Sequence, residues 1–71
     1  METINIREQE EFIKLGQLLK AANLVSSGVE AKIMITEGYV CVNGEVELRR
    51  GRKLYDGDIV TFQEQSVLVK Q

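Results

Sequence analysis

The stretch GYVCVNGEVEL, residues 38–48, carries the clearest structural signal in the chain. Asn43-Gly44 is the residue pair most typical of a two-residue turn with positive φ at both positions, and apolar residues alternate on either side of it. The stretch therefore predicts a β-hairpin. A strict two-residue turn would place Cys41 opposite Val46, although the sequence alone leaves this register open.

A helix is predicted immediately before the hairpin, over residues 27–37. Ser27 followed three residues later by Glu30 is a signal for the start of a helix, and Gly38 favours the left-handed conformation in which helices end. The helix carries two apolar stripes on nearly opposite faces, so we expect the protein to cover it on two sides. One stripe contains Ala31, Met34 and Ile35, and the other contains Val29 and Ile33.

A shorter helix is predicted farther upstream. Its apolar residues recur at the helical spacing i, i+3, i+4 and i+7, and Asn23 is a plausible stop. These residues are Leu15, Leu18, Leu19 and Ala22. Gly16, Gln17 and Lys20 fall on the opposite face, which we expect to be exposed to solvent.

The remaining segments read as strands and connections. Alternation over residues 3–7 predicts an edge strand, and residues 7–11 are expected to form a connector. Further strands are predicted at residues 39–42, 45–48, 59–62 and 67–69, and residues 49–58 form a long connection with an Asp56-Gly57 turn. We expect one α+β domain over residues 1–71, in which two short helices pack on a small, mainly antiparallel sheet.

The composition limits the chemistry that this chain can perform. With 71 residues, no His and one Cys, it lacks the residues for Ser-His-Asp or Cys-His catalysis, for a His-based zinc site and for a disulfide. We therefore expect no enzymatic activity, no cofactor and no small-molecule substrate. The lone thiol and the lack of a long apolar run favour a cytoplasmic setting without a membrane span. Cys41, which alternates with valines, is expected to be buried.

Charge is segregated along the chain although the net charge is only −2. Four of the eleven acidic residues lie in the first eleven positions, whereas four of the nine basic residues lie between Arg49 and Lys53. Arginine matches phosphate geometry with a bidentate fork, so this cluster is typical of a phosphate-binding loop. The alternative is a solvated loop whose charges are offset by acidic neighbours, namely Glu45, Glu47, Asp56 and Asp58.

The order of these signals resembles the S4 domain, an RNA-binding domain first recognised in a ribosomal protein. The resemblance spans about residues 13–62. It rests on the capped helix with Glu30-Ala31-Lys32, the Val-x-Val-Asn-Gly hairpin and the late Gly57-Asp58. The block from Glu47 to Leu54 resembles that of a small stand-alone bacterial subgroup. The resemblance implies the αL motif, RNA binding without catalysis and no cofactor.

The resemblance also implies which residues hold RNA. Lys32 matches the basic position that follows Glu-Ala in the family. Two customary positions depart from the pattern, because Lys14-Leu15-Gly16 stands where many members have Arg-Leu-Asp and Gly28 stands where they often have Arg. The expected RNA-binding residues are Lys14, Lys20, Lys32, Arg49, Arg50, Arg52 and Lys53.

The resemblance implies that the partner is structured RNA, with ribosomal RNA ahead of tRNA and a role in ribosome assembly at a ribosomal particle; no membrane is expected. Only four aromatic residues are present, and three of them occupy apolar-patterned positions. We therefore expect recognition of shape and backbone rather than base stacking. The alternative function is that of a protein–protein interaction adaptor without RNA binding, which would use Val29, Ile33 or an open strand edge.

Overall fold

The computed structural model describes residues 1–71 and contains two helices and seven strands. The helices are α1 (Leu15–Ala21) and α2 (Gly28–Thr36). The strands are β1 (Glu2–Asn5), β2 (Ile13–Lys14), β3 (Val40–Val42), β4 (Glu45–Val46), β5 (Lys53–Leu54), β6 (Ile59–Phe62) and β7 (Gln65–Lys70). Five strands form a sheet in the order β1-β7-β6-β3-β4, and β2 pairs separately with β5. Only the β1–β7 pair is parallel, so the predicted α+β class with a mainly antiparallel sheet is confirmed.

The hairpin forms as the sequence predicts. Asn43 and Gly44 have φ angles of 52° and 86°, and Cys41 lies opposite Val46. The Asn43 side chain also ties the turn to β6, because its Nδ2 donates to Asp58 at 3.0 Å and its Oδ1 accepts from the Ile59 amide at 2.9 Å. The turn is therefore fixed by the neighbouring strand as well as by its own conformation.

The caps of the helices follow the sequence closely. The Ser27 hydroxyl accepts from the Glu30 amide at 3.1 Å, which satisfies one of the free amides in the first turn of α2. The Glu30 carboxylate accepts from the amide and hydroxyl of Ser26, the residue before the N-cap, at 2.7 and 2.9 Å. These two hydrogen bonds lower the pKa of Glu30. Asn23, with φ of 59°, follows the end of α1.

One hydrophobic core joins both helices to the inner face of the sheet. From α1 come the fully buried residues Leu15, Leu18 and Leu19. From α2 come Ala31 and Ile35, and the strands contribute inward-facing valines such as Val40, Val42, Val60, Val67 and Val69. The longest helix has nine residues, and no helix is long and apolar enough to cross a membrane.

Two expectations about burial are wrong. Val29 and Ile33 are 70% and 48% exposed, so α2 is covered on one side only. Cys41 is half-buried, because it alternates with Val40 and Val42 and therefore lies on the outer face of the sheet. The reason is the same in both cases. The fold has two layers, and no third layer covers the outer side of α2 or of the sheet.

Several strand boundaries also differ from the predictions. The first strand spans Glu2–Asn5 and the last spans Gln65–Lys70. The connection over residues 49–58 contains β5, whose Leu54 lies opposite Ile13. Strands of two residues are too short to show the alternation by which strands are recognised, so β2 and β5 left no sequence signal.

We predict that two matched substitutions in α2 differ sharply in their effect on stability. Ile35→Ala empties a fully buried position and should lower the free energy of unfolding by about 2–5 kcal/mol. Ile33→Ala removes the same atoms from a half-exposed position and should lower it by less than about 1 kcal/mol. Urea denaturation followed by circular dichroism measures both. Equal losses would mean that the outer face of α2 is covered in solution.

Candidate nucleic-acid interface

The basic cluster begins with a tight turn that docks on the start of α1. Within residues 49–52, which we call the arginine turn, the Arg52 amide donates to the Arg49 carbonyl at 3.2 Å. The carbonyls of Arg52 and Arg50 accept from the amides of Leu15 and Gly16, at 2.9 and 3.0 Å. These first-turn amides have no partner within the helix, so the arginine turn supplies the acceptors that α1 lacks.

Gly16 allows this close contact. The sequence placed Gly16 on the solvent side of α1, but the residue is buried because the Arg50 side chain lies across it. A Cβ atom at position 16 would stand 2.8 Å from Cγ of Arg50, closer than non-bonded carbons approach. The glycine therefore fixes where Arg50 can lie.

A cationic depression of about 280 Å³ lies between α1, the start of α2 and the arginine turn. Its lining consists of Lys14, Gly16, Gln17, Lys20, Gly28, Ala31, Arg50 and Gly51. The cations Lys14, Lys20 and Arg50 form no ion pair with any carboxylate. Three predicted residues from separate segments are thus brought together with their charges free.

Glu47 is the one buried charged residue, and it binds both ends of the arginine turn. Its carboxylate accepts from the Arg49 amide at 3.0 Å, from Nε and Nη2 of Arg49 at 2.9 and 3.1 Å, and from Nη1 of Arg52 at 2.8 Å. We call this arrangement the carboxylate clamp. The side-chain hydrogen bonds from Arg49 and then Arg52 hold the pKa of Glu47 far below its ordinary value.

The carboxylate clamp divides the basic cluster. Of the four acidic residues near the cluster, only Glu47 forms ion pairs with it. Arg49 and Arg52 are therefore partly neutralised, while Arg50 keeps its full charge. Glu45, Asp56 and Asp58 form no ion pair with the cluster.

The other side of the arginine turn faces an open groove lined by Arg49, Gly51, Arg52 and Lys53. The Lys53 ammonium lies 4.9 Å from the centre of the Phe12 ring, and the Phe12 and Tyr55 ring centres are 6.1 Å apart. Tyr55 and Tyr39 are both exposed. Gly51 lines both the groove and the cationic depression, so the two concave surfaces adjoin.

Lys32 lies beside the cationic depression rather than in its lining. It is exposed on α2, one helical turn after Gly28 and next to Ala31, both of which line the depression. The structure thus groups the seven predicted residues as three around the depression, three around the groove and Lys32 at the side.

Sequence reasoning missed Glu47, Gly16 and Gln17 as parts of the site. The Gln17 side chain accepts from the Lys14 amide at 3.2 Å and helps to cap α1. Glu47 had one local signal, its spacing of two residues from Arg49 on an extended segment. No group of three or more His, Cys, Asp or Glu side chains is arranged to hold a metal ion.

The known proteins that are similar to this chain belong to one family. A model described as the S4 domain matches residues 4–70. The "Probable ribosome maturation protein RlbA" of Bacillus subtilis is 51% identical over 53 residues, which cover 75% of each chain. The "Putative RNA-binding protein YbcJ" of Escherichia coli is 44% identical over 57 residues, or 80% of this chain and 81% of YbcJ.

A solved structure shares the fold. The solution structure of YbcJ from E. coli, described as revealing an alfaL motif involved in RNA binding, aligns with a TM-score of 0.74. The alignment covers all of this chain and 89% of that one, at 38% identity. The arrangement of two helices on a mainly antiparallel sheet is therefore shared with that protein.

We predict that the carboxylate clamp makes stability depend on pH. The folded-state pKa of Glu47 lies below its unfolded-state value of about 4.5, so the clamp stabilises the fold above that pH and the contribution is lost as the pH falls. At pH 6, Glu47→Gln should lower the free energy of unfolding by about 1–3 kcal/mol, as is typical of hydrogen bonds to charged groups.

Urea denaturation between pH 6 and pH 3 measures this dependence. Below pH 4.5 the difference in free energy of unfolding between Glu47→Gln and the unmodified protein should become smaller. Glu45→Gln is the control, because Glu45 is exposed and forms no ion pair. A difference in free energy of unfolding that stays constant down to pH 3 would contradict the prediction.

Proposed function

The chain belongs to the S4 domain family, and we propose that it is a non-catalytic protein that binds structured RNA through the cationic depression and the adjoining groove. The observation that carries this proposal is the meeting of Lys14, Lys20 and Arg50 around one depression. They come from the start of α1, its last turn and the arginine turn, and none is neutralised.

The chemistry of the depression suits phosphate groups. Two lysines and an arginine supply charged donors, and arginine can hold two phosphate oxygens at once. Gly28 and Gly51 in the lining present no side chains beyond the backbone, so an RNA strand can approach closely. Contacts of this kind position RNA without selecting its sequence.

The groove on the other side of the arginine turn extends the same surface. Lys53 is exposed there, and Arg49 keeps most of its side chain in solvent although Glu47 binds it. Arg52 is less exposed and forms the shorter ion pair with Glu47. We expect Lys53 to contribute more to direct RNA contact than Arg49, and Arg49 to contribute more than Arg52.

The RNA that we favour is ribosomal. The B. subtilis relative is named a probable ribosome maturation protein, and a small phosphate-binding surface suits a folded RNA whose shape selects the binding position. The test is co-sedimentation of the protein with ribosomal subunits and their precursors on sucrose gradients, set against binding to a tRNA transcript. Equal or tighter binding to tRNA would remove the ribosomal assignment and leave RNA binding intact.

A protein-binding adaptor is the second candidate, and the exposed stripe of Val29 and Ile33 favours it. The dependence of binding on salt concentration distinguishes RNA binding from protein binding. Added salt weakens contacts to phosphate steeply, whereas docking on apolar surface tolerates it. An adaptor would also keep its partner when the cations around the depression are removed.

We predict that removing the three cations of the depression abolishes most RNA binding without unfolding the protein. Lys14→Ala, Lys20→Ala and Arg50→Ala should each weaken binding by about fivefold to tenfold, because each removes one phosphate contact. Gel shift or fluorescence anisotropy measures affinity, and circular dichroism confirms folding. Lys70→Ala is the control, since Lys70 is exposed and lines neither concave surface. Unchanged affinity in the triple variant would remove the depression from the interface.

We also predict the salt dependence of binding. Release of about four to six counterions gives a log–log slope of about −3 to −5, at about 0.7–0.9 per phosphate contact. Lys32→Ala should reduce the magnitude of that slope by about one unit and weaken binding to different RNA ligands similarly. If Lys32→Ala leaves both slope and affinity unchanged, the RNA lies away from α2 and the interface is confined to α1 and the arginine turn.

A further inference from the structure

We propose that Glu47 is a positioning residue of the RNA interface: by binding both ends of the arginine turn, it holds Arg50 toward the cationic depression. This inference rests on the proposed function and adds to it a role for an acidic side chain. Glu47 touches no residue of the depression through its own carboxylate. Its effect is transmitted through the backbone of the turn.

The geometry of the turn supports this role. Residues Arg49 and Arg52 sit at its two ends, and the Glu47 carboxylate receives hydrogen bonds from both. Arg50 and Gly51 lie between them at the tip, and both line the depression. With both ends held by a buried group, the tip has little freedom to swing away from α1.

A second set of bonds transmits the position of the turn to α1. The carbonyls of Arg50 and Arg52 accept from the Gly16 and Leu15 amides, and the Arg50 side chain crosses Gly16. Loosening the clamp would free those carbonyls and let the Arg50 side chain leave its place over Gly16. The amides of Leu15 and Gly16 therefore report directly on the clamp.

The sign of the charge makes the proposal testable. A carboxylate near bound phosphates opposes binding by Coulomb repulsion, so removing its charge should tighten RNA binding if charge were its only influence. Positioning predicts the opposite, because the turn loses its order even as the protein becomes less negative. The two explanations differ in direction and not only in size.

The experiment compares Glu47→Gln with Glu45→Gln, which make the same change in net charge. Glu45 is two residues away on the same hairpin and binds neither arginine. Glu47→Gln should weaken RNA binding by about tenfold, the scale of one lost charged hydrogen bond. Glu45→Gln should bind as tightly as the unmodified protein or more tightly. An increase for both variants would overturn the proposal.

Nuclear magnetic resonance separates positioning from general destabilisation. In Glu47→Gln, the amide chemical shifts of Leu15, Gly16 and Arg50 should change, while those of the distant β1–β7 pair stay the same. Uniform changes across the chain would assign Glu47 to the fold and overturn the positioning role.

Glu47→Asp covers the case in which Glu47→Gln does not fold. It keeps the charge but shortens the side chain by one methylene, so it cannot reach both arginines at once. It should also weaken RNA binding, at unchanged net charge. Unfolding of both variants would overturn the proposal, because Glu47 would then be a residue of the fold.

Failure of this inference is distinguishable from failure of the proposed function. If the unmodified protein binds no RNA, the proposed function fails. If it binds RNA and loses binding on removal of Lys14, Lys20 and Arg50, yet Glu47→Gln binds normally, only the positioning role fails.

Discussion

The candidate interface depends on two backbone hydrogen bonds, from the amides of Leu15 and Gly16 to the carbonyls of Arg52 and Arg50. Helix α1 has seven residues, too few to be stable alone, so its first turn needs partners from elsewhere in the chain. A turn more than thirty residues later supplies them. The same contact places Arg50 across Gly16 in the lining of the depression, so one interaction completes the helix and assembles the cationic depression.

The acidic composition of the chain is compatible with an anionic partner because no carboxylate lines the cationic depression. Four of the acidic residues belong to the first eleven positions, and three free cations surround the depression. Charges in solvent are screened beyond about 10 Å at ordinary salt, so a partner at the depression experiences the local cations more than the net charge of −2. Net charge is therefore a poor guide to partners when the surface is divided in this way.

Sequence analysis correctly predicted the features that depend on interactions between residues close together in the chain. The Ser27 cap and the Asn43-Gly44 turn each involve neighbouring residues, and both have the expected geometry. The β2–β5 pair and the docking of the arginine turn join distant segments through backbone atoms, which leave no residue-type signal. The expected burial of Val29 was wrong for a related reason. An apolar pattern shows that a helix face favours burial, but it does not show whether the fold provides a layer to cover that face.

The carboxylate clamp resolves a difficulty inherent in a cluster of four cations within five residues. Unscreened like charges at such separations repel, and the repulsion favours an extended, mobile segment over a tight turn. A single buried carboxylate that accepts from Arg49 and Arg52 removes much of that repulsion at the ends of the turn, where order is needed. The tip keeps its charge on Arg50. Identical side chains in one short segment thus take different roles, and the residue that assigns those roles is the acidic one.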